Sequence, residues 1–240
     1  MQNTPLPPKH AIEQHFGLHL GFVAIVYVLF KIASVVPVSA FGMPFGVQRP
    51  FFPGLNAPIE RVAAYFGTHS HEVLISAFLQ FGTAIPFGIF TAGVVCRLWP
   101  LGNSPISGAI ALVGGFMAAV DEAVSGAILW VMGHSVISQV PVLTQTFHYL
   151  AVVFGGPGFT MPQGLLMAGI SLPCASMKLL PRWMVALGVF LAVVGELSWF
   201  SMIFPRAGIL IPVARWPGFL WLIAVGFSLQ KRLSFQKSLI

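Results

Sequence analysis

Lys31, Glu72, Asp121, Glu122, His148 and Glu196 each interrupt a stretch of sequence that is otherwise apolar. The stretches run to about 20 residues, the length of helix that crosses a bilayer. An ionisable side chain in the middle of such a helix costs about 2.5–3.5 kcal/mol on insertion scales, so it faces a bundle interior, a wet cavity or a partner group. Three kinds of chemistry are open to these residues. As mixed nitrogen and oxygen donors, Glu72, Asp121, His148 and Glu196, with His69 or His71 above them, suit a divalent transition metal. Such a metal would activate water against a lipid-like substrate. Without a metal, Lys31, Glu72, Ser76, Gln80, Asp121, Glu122, His148 and Glu196 would line a pocket for a small or amphiphilic ligand, or serve a small proton-linked carrier. As a lattice of internal ion pairs, with Lys31 on Glu72 or Glu196 and His148 on Asp121, they would hold together a structural subunit of a membrane complex.

Spacing narrows the choice only in part. Neither HExxH nor Glu-x-x-His occurs, so the signature of di-iron bundles is not met. Asp121 and Glu122 project about 100° apart on a helix, so one faces the interior while the other meets a neighbouring helix. One lysine against four carboxylates leaves negative charge that protons, a bound cation or water must offset.

The elements that must position these residues are membrane helices. The 240 residues are 57% hydrophobic and 8% charged, with a mean hydropathy of +0.88, whereas soluble domains run to about 25% charged. Six spans are expected, close to residues 17–36, 70–99, 105–132, 142–177, 182–204 and 209–229, forming one all-α domain. Both termini then share a side. That side carries Lys9, Arg97, Lys178, Arg182, Lys231, Arg232 and Lys237, against Arg49, Arg61, Arg206 and Arg215 on the other, which favours cytoplasmic termini. The net charge of +6 is spread singly between apolar segments, as membrane anchors are, and forms no face for nucleic acid. Cys96 and Cys174 lack CxxC spacing and fall on the reducing side.

With this topology the ionisable residues share a depth. Lys31 and Glu196 lie about 21 Å along their helices from the inner face, Asp121 about 24 Å, while Glu72 and His148 lie within about 10 Å of the outer face. Three polar stripes point the same way: His69, Glu72, Ser76, Gln80 and Thr83 on the second span, Ala118, Asp121 and Ser125 on the third, Tyr27, Lys31 and Ser34 on the first. Gly188, Ala192 and Gly195 beside Glu196 permit close helix approach. His15 and His19 suit headgroup anchors near the start of the first span, and Trp130 and Trp199 are candidates to cap the outer end. Between the first two spans, residues 37–68 form an apolar, Pro-rich connector with Pro44, Pro50, Pro53, Pro58, Phe45, Phe51 and Phe52. Asn56-Ala-Pro-Ile-Glu reads as a capped helix start, leading into a short amphipathic piece with Arg61 and Phe66, so a partly folded lid is expected. In the fourth span Gly155-Gly156-Pro157-Gly158 and Pro162 predict a kink.

The C-terminal third carries Leu180-Pro181-Arg182-Trp183, Leu187-Gly188-Val189 and Pro217-Gly218-Phe219-Leu220-Trp221-Leu222. In these residues it resembles an uncharacterised family of six-helix bacterial integral membrane proteins, a domain of unknown function. The resemblance implies a Pro-Arg-Trp helix entry, a Gly-bearing fifth helix and an aromatic final helix, and it assigns no catalytic residue. The connector and the Asp121–Glu122 pair have no counterpart in that pattern. The whole reading is a multi-pass protein of the bacterial inner (cytoplasmic) membrane, with a polar pocket in the outer half of the bilayer. Its expected partners are lipid and a small amphiphilic ligand, the latter held through a metal or without one.

Overall fold

The computed structural model describes residues 19–38, 52–99 and 104–237, with side chains as far as residue 230. Lys9, His15, Gly17, Pro44, Phe45, Arg49, Pro50 and Phe51 lie outside the described residues, as do the side chains of Lys231, Arg232 and Lys237. The described chain is helical with no strand. Its helices are α1 (Leu20–Val35), α2 (Ile59–Thr68), α3 (Ser70–Leu98), α4 (Pro105–Met132), the one-turn α5 (Ser135–Ser138), α6 (Pro141–Val153), α7 (Phe159–Ser176), α8 (Arg182–Leu197) and α9 (Leu210–Lys237). Six segments are long and apolar enough to cross a membrane: Leu20–Val38, Ser70–Leu98, Pro105–Met132, Pro141–Ser176, Arg182–Met202 and Pro205–Gln230. They match the expected spans to within a few residues.

Sequence signals account for the breaks. Pro105 opens α4 and Pro141 opens α6, positions where the missing N–H has no helical partner to lose. Pro181 sits just before α8, held extended at ψ 146°. The expected Asn56 cap is absent. Helix α2 begins after Pro58 with no side-chain capping bond, and Glu60 occupies its first turn instead. The fourth span is interrupted at Phe154–Gly158, a wide π-type turn in which Gly156 departs from helical geometry (φ −99°, ψ −108°) before α7 resumes.

The spanning helices close into a ring in chain order. Helix α1 packs on α3, α3 on α4, α4 on α7, α7 on α8, α8 on α9, and α9 back on α1. Small residues set the tightest crossings. A Cβ on Gly114 of α4 would come within 2.6 Å of both the Leu165 Cβ and the Pro162 carbonyl oxygen of α7. A Cβ on Gly226 of α9 would lie 2.8 Å from the Gly21 backbone nitrogen of α1. Backbones this close exchange dispersion contacts directly, the main attraction left to helices already in lipid. The middle of the ring is filled by aromatic side chains: Tyr27 packs on Phe87 and Phe219, and Phe159 on both of those rings. Outward-facing Phe22, Phe78, Ile85, Ile106 and Leu220 are exposed, as lipid-facing residues are. Helix α2 lies across one end of the ring against α6, burying Val62 and Phe66 with Leu129, Met132 and Ala151.

Candidate functional site

Beside the cluster that seats α2, and sharing Phe52, Leu129 and Ala151 with it, lies a cavity of about 460 Å³. Its wall is mostly apolar, with Val35, Val38, Phe52, Leu129, Ile211 and Trp216 among its members. Polar groups enter from four elements: Lys31 and Ser34 on α1, Ser76 and Gln80 on α3, Ser125 on α4 and Arg215 on α9. Gly155 and Gly156 at the break between α6 and α7 complete that side.

An ion pair anchors the arrangement. Lys31 Nζ donates to Glu122 Oε1, and both side chains are almost fully buried. Helical periodicity explains why Glu122 and not Asp121 is the partner. Ala118, Glu122, Ser125 and Leu129 follow one another at three- and four-residue steps and all are buried. Asp121 is turned about 100° away. It is half-buried beside Val113, Phe116, Met117 and Val120 on a separate groove. The α4 stripe therefore runs through Glu122, a correction to the expected Ala118–Asp121–Ser125 line. On α1 the expected stripe holds, since Tyr27, Lys31 and Ser34 are all buried.

Hydroxyls and an amide stitch the helices around this pair. Ser76 Oγ donates to the Ser34 carbonyl at 2.6 Å, and Ser34 Oγ to the Lys31 carbonyl at 2.8 Å. Gln80 Nε2 donates to Ser125 Oγ at 2.8 Å, which in turn donates to the Ala151 carbonyl at 2.9 Å. Gly155 permits this approach, because a Cβ there would meet Ser125 Oγ at 2.5 Å. Ser76 and Gln80 thus serve as cavity wall and interhelical bond at once.

The guanidinium of Arg215 closes the polar side. Its Nη2 donates to the Gly155 carbonyl, to the Gly156 carbonyl at 3.2 Å and to Thr160 Oγ1 at 3.4 Å. The break leaves these carbonyls open to a further donor, although the Gly156 carbonyl also accepts from Phe159 N–H and Thr160 Oγ1. The cation stands 4.8 Å over the Phe159 ring, a geometry in which the π-face attracts it. Its Nε is buried without a partner, as are Glu122 Oε2 and the Tyr27 hydroxyl. Glu122 acts electrostatically on Lys31, Arg215 and Tyr27 alike.

Of the eight residues expected to form a pocket, Lys31, Ser76 and Gln80 line the cavity, and Glu122 joins them through Lys31. Glu72, Asp121, His148 and Glu196 stand apart. Glu72 is half-buried in the first turn of α3. His148 is fully buried, with ring centroids 5.5 Å from Phe52 and 6.0 Å from Phe66 and the Pro53 backbone beside it. Glu196 is half-buried on α8, where a Cβ on Gly164 would meet its Oε1 at 3.2 Å. Among the described residues no three His, Cys, Asp or Glu side chains come together in a metal-binding group. The set Glu72, Asp121, His148 and Glu196 is therefore dispersed, because it draws on different faces of α3, α4, α6 and α8. The pairings expected for Lys31 and His148 are likewise replaced, by Glu122 for the lysine and by aromatic rings for the histidine. Neither Trp130 nor Trp199 reaches the cavity; Trp216 does.

Two participants escaped the sequence reading. Arg215 is expected only as a cation of the outer side, six residues into the span 209–229; the structure places it ten residues into a span that begins at Pro205, on the cavity wall. Its position inside the expected span was the available signal. Gln163 of α7 is buried with neither amide atom hydrogen-bonded, and a Cβ on Gly218 would meet its Nε2 at 2.9 Å. That places it one turn inward of Arg215 along α9. No family model matches this chain, and neither a curated protein nor a solved structure matches it.

Proposed function

We propose that this multi-pass membrane protein binds a small amphiphilic molecule in the chamber beside the α2 cluster. The observation that carries the reading is the cavity of about 460 Å³, apolar over most of its wall and charged on one side by Lys31 and Arg215. Ligand sites are typically about 300–1,000 Å³, mostly apolar, with a few convergent polar groups. An amphiphile matches both kinds of surface. Phe52, backed by Tyr65 and Phe66 of α2, then covers one edge of the chamber. The excess of Lys and Arg on the other face of the bundle supports an orientation with the chamber on the periplasmic side of a bacterial inner membrane.

Titration calorimetry in maltoside micelles with ten-carbon amphiphiles of different head groups tests the reading. At least one should bind saturably at one molecule per chain. Ile211→Trp, which puts an indole into the cavity, should abolish that binding while the protein keeps its elution volume. Absence of saturable binding by every member of the series would remove the proposal.

A further inference from the structure

The charges around the chamber do not cancel. Lys31 and Arg215 both line it, and among the described residues Glu122 is the one carboxylate acting electrostatically on either of them, with the Tyr27 phenol as a further neighbour of Arg215. Two cations thus share one carboxylate. The expected imbalance was negative; the observed one is positive, because Arg215 enters the site and Glu72, Asp121 and Glu196 stay out. The bonds that Arg215 makes do not correct this. Gly155, Gly156 and Thr160 offer neutral oxygens, which satisfy donors but leave the charge. They also occupy only Nη2, while Nε is buried with no partner. A guanidinium presents five N–H groups in a planar fork that fits carboxylate and phosphate oxygens. A buried cation without a counter-ion is costly in a low-dielectric interior, and a structure that keeps one in place is complementary to an anion.

We infer that the occupant of the chamber is an amphiphilic anion, its carboxylate or phosphate-monoester head group held at Arg215 and Lys31 and its alkyl tail along Val35, Leu129 and Ile211. This rests on the reading that the chamber binds a ligand at all. Arg215 supplies direct hydrogen bonds. Lys31, held in place by Glu122, supplies positive potential and one further donor. A neutral amphiphile leaves the surplus charge unmatched, and a cationic one adds to it. The apolar wall separates this site from one for a free inorganic anion, which gains nothing from Leu129 or Ile211.

Calorimetry on the full chain in maltoside micelles separates these cases with decyl phosphate, decanoate, decanol, decyltrimethylammonium and inorganic phosphate as probes. Decyl phosphate and decanoate should bind at one per chain, at least tenfold tighter than decanol, with no binding of decyltrimethylammonium. Arg215→Gln should bring decyl phosphate to the affinity of decanol. If that variant does not fold, Arg215→Lys, which keeps the charge and loses the fork, should weaken decyl phosphate at least threefold and preserve the order of anion over alcohol. Equal binding of decanol and decyl phosphate to the wild-type protein overturns the anion preference and leaves the chamber reading standing. Inorganic phosphate binding as tightly as decyl phosphate overturns the amphiphile. Failure of every amphiphile to bind overturns both readings.

Discussion

Lys31 and Glu122 illustrate how a membrane interior keeps charge. Each is nearly inaccessible, and Lys31 would be intolerable without Glu122. Removing one partner of a buried pair strands the second, at a cost of about 3–5 kcal/mol, whereas replacing both with apolar groups is often neutral. Glu122→Leu should therefore destabilise the protein by about 3 kcal/mol or more, because it strands Lys31 and takes from Arg215 the carboxylate it shares, and adding Lys31→Met should return part of that loss. Reversible unfolding in mixed micelles, run as a double-mutant cycle, measures both. Strictly additive losses would mean that the two side chains do not meet. The pair was half legible in the sequence. Lys31 sits on an unambiguous α1 stripe with Tyr27 and Ser34, but Asp121 and Glu122 are adjacent, and each lies within one helical step of a stripe through Ala118. The packing partner decides between them, and one helix's periodicity does not name its partner. Arg215 was missed for a related reason. Counted only by side, a cation six residues into the expected span 209–229 does not disclose whether it turns inward, and its depth grows when the span begins at Pro205.

At the scale of elements, helix ends and breaks were the most readable features. Pro105, Pro141 and Pro181 each mark a helix start, and Gly155-Gly156-Pro157-Gly158 marks the interrupted span. What those residues could not disclose was the use of the break. At the break the Gly155 carbonyl accepts from an arginine 60 residues further along the chain. Helix α2 was legible as an amphipathic piece, although its start depends on Pro58 rather than on the expected Asn56 cap. Close helix approach makes a sharper prediction. Gly114→Ala would drive a methyl group into the Leu165 side chain and the Pro162 carbonyl, which is backbone and cannot swing aside. The α4–α7 crossing must then open, at a cost of about 1–3 kcal/mol. Gly54→Ala, where nothing lies within 4 Å of the added carbon, should leave stability unchanged. Thermal unfolding of the two variants side by side checks the contrast; equal effects would show that α4 and α7 are not in backbone contact at Gly114.

The whole molecule is a ring of helices arranged in chain order, with an aromatic centre and a chamber. Span number and fold class follow from length and hydropathy, since few other structures satisfy backbone hydrogen bonds in lipid. Ring closure does not follow from hydropathy. It depends on Gly21 and Gly226 letting the first and last spans touch, a contact between residues 205 positions apart whose local signals are only two glycines. Closure is what turns separate polar stripes into a single site, because Arg215 reaches the chamber only if α9 returns to α1. The dispersed metal set makes the same point from the other side: four suitable donors on four helices form a centre only when those helices present them to one another. A density map of the protein in lipid nanodiscs, bound to a rigid fiducial partner, tests this most directly. The account predicts Lys31, Glu122 and Arg215 around one chamber, with elongated non-protein density whose head lies within hydrogen-bonding distance of Arg215. A map with Arg215 facing lipid, or with Lys31 and Glu122 on surfaces that do not meet, would contradict it.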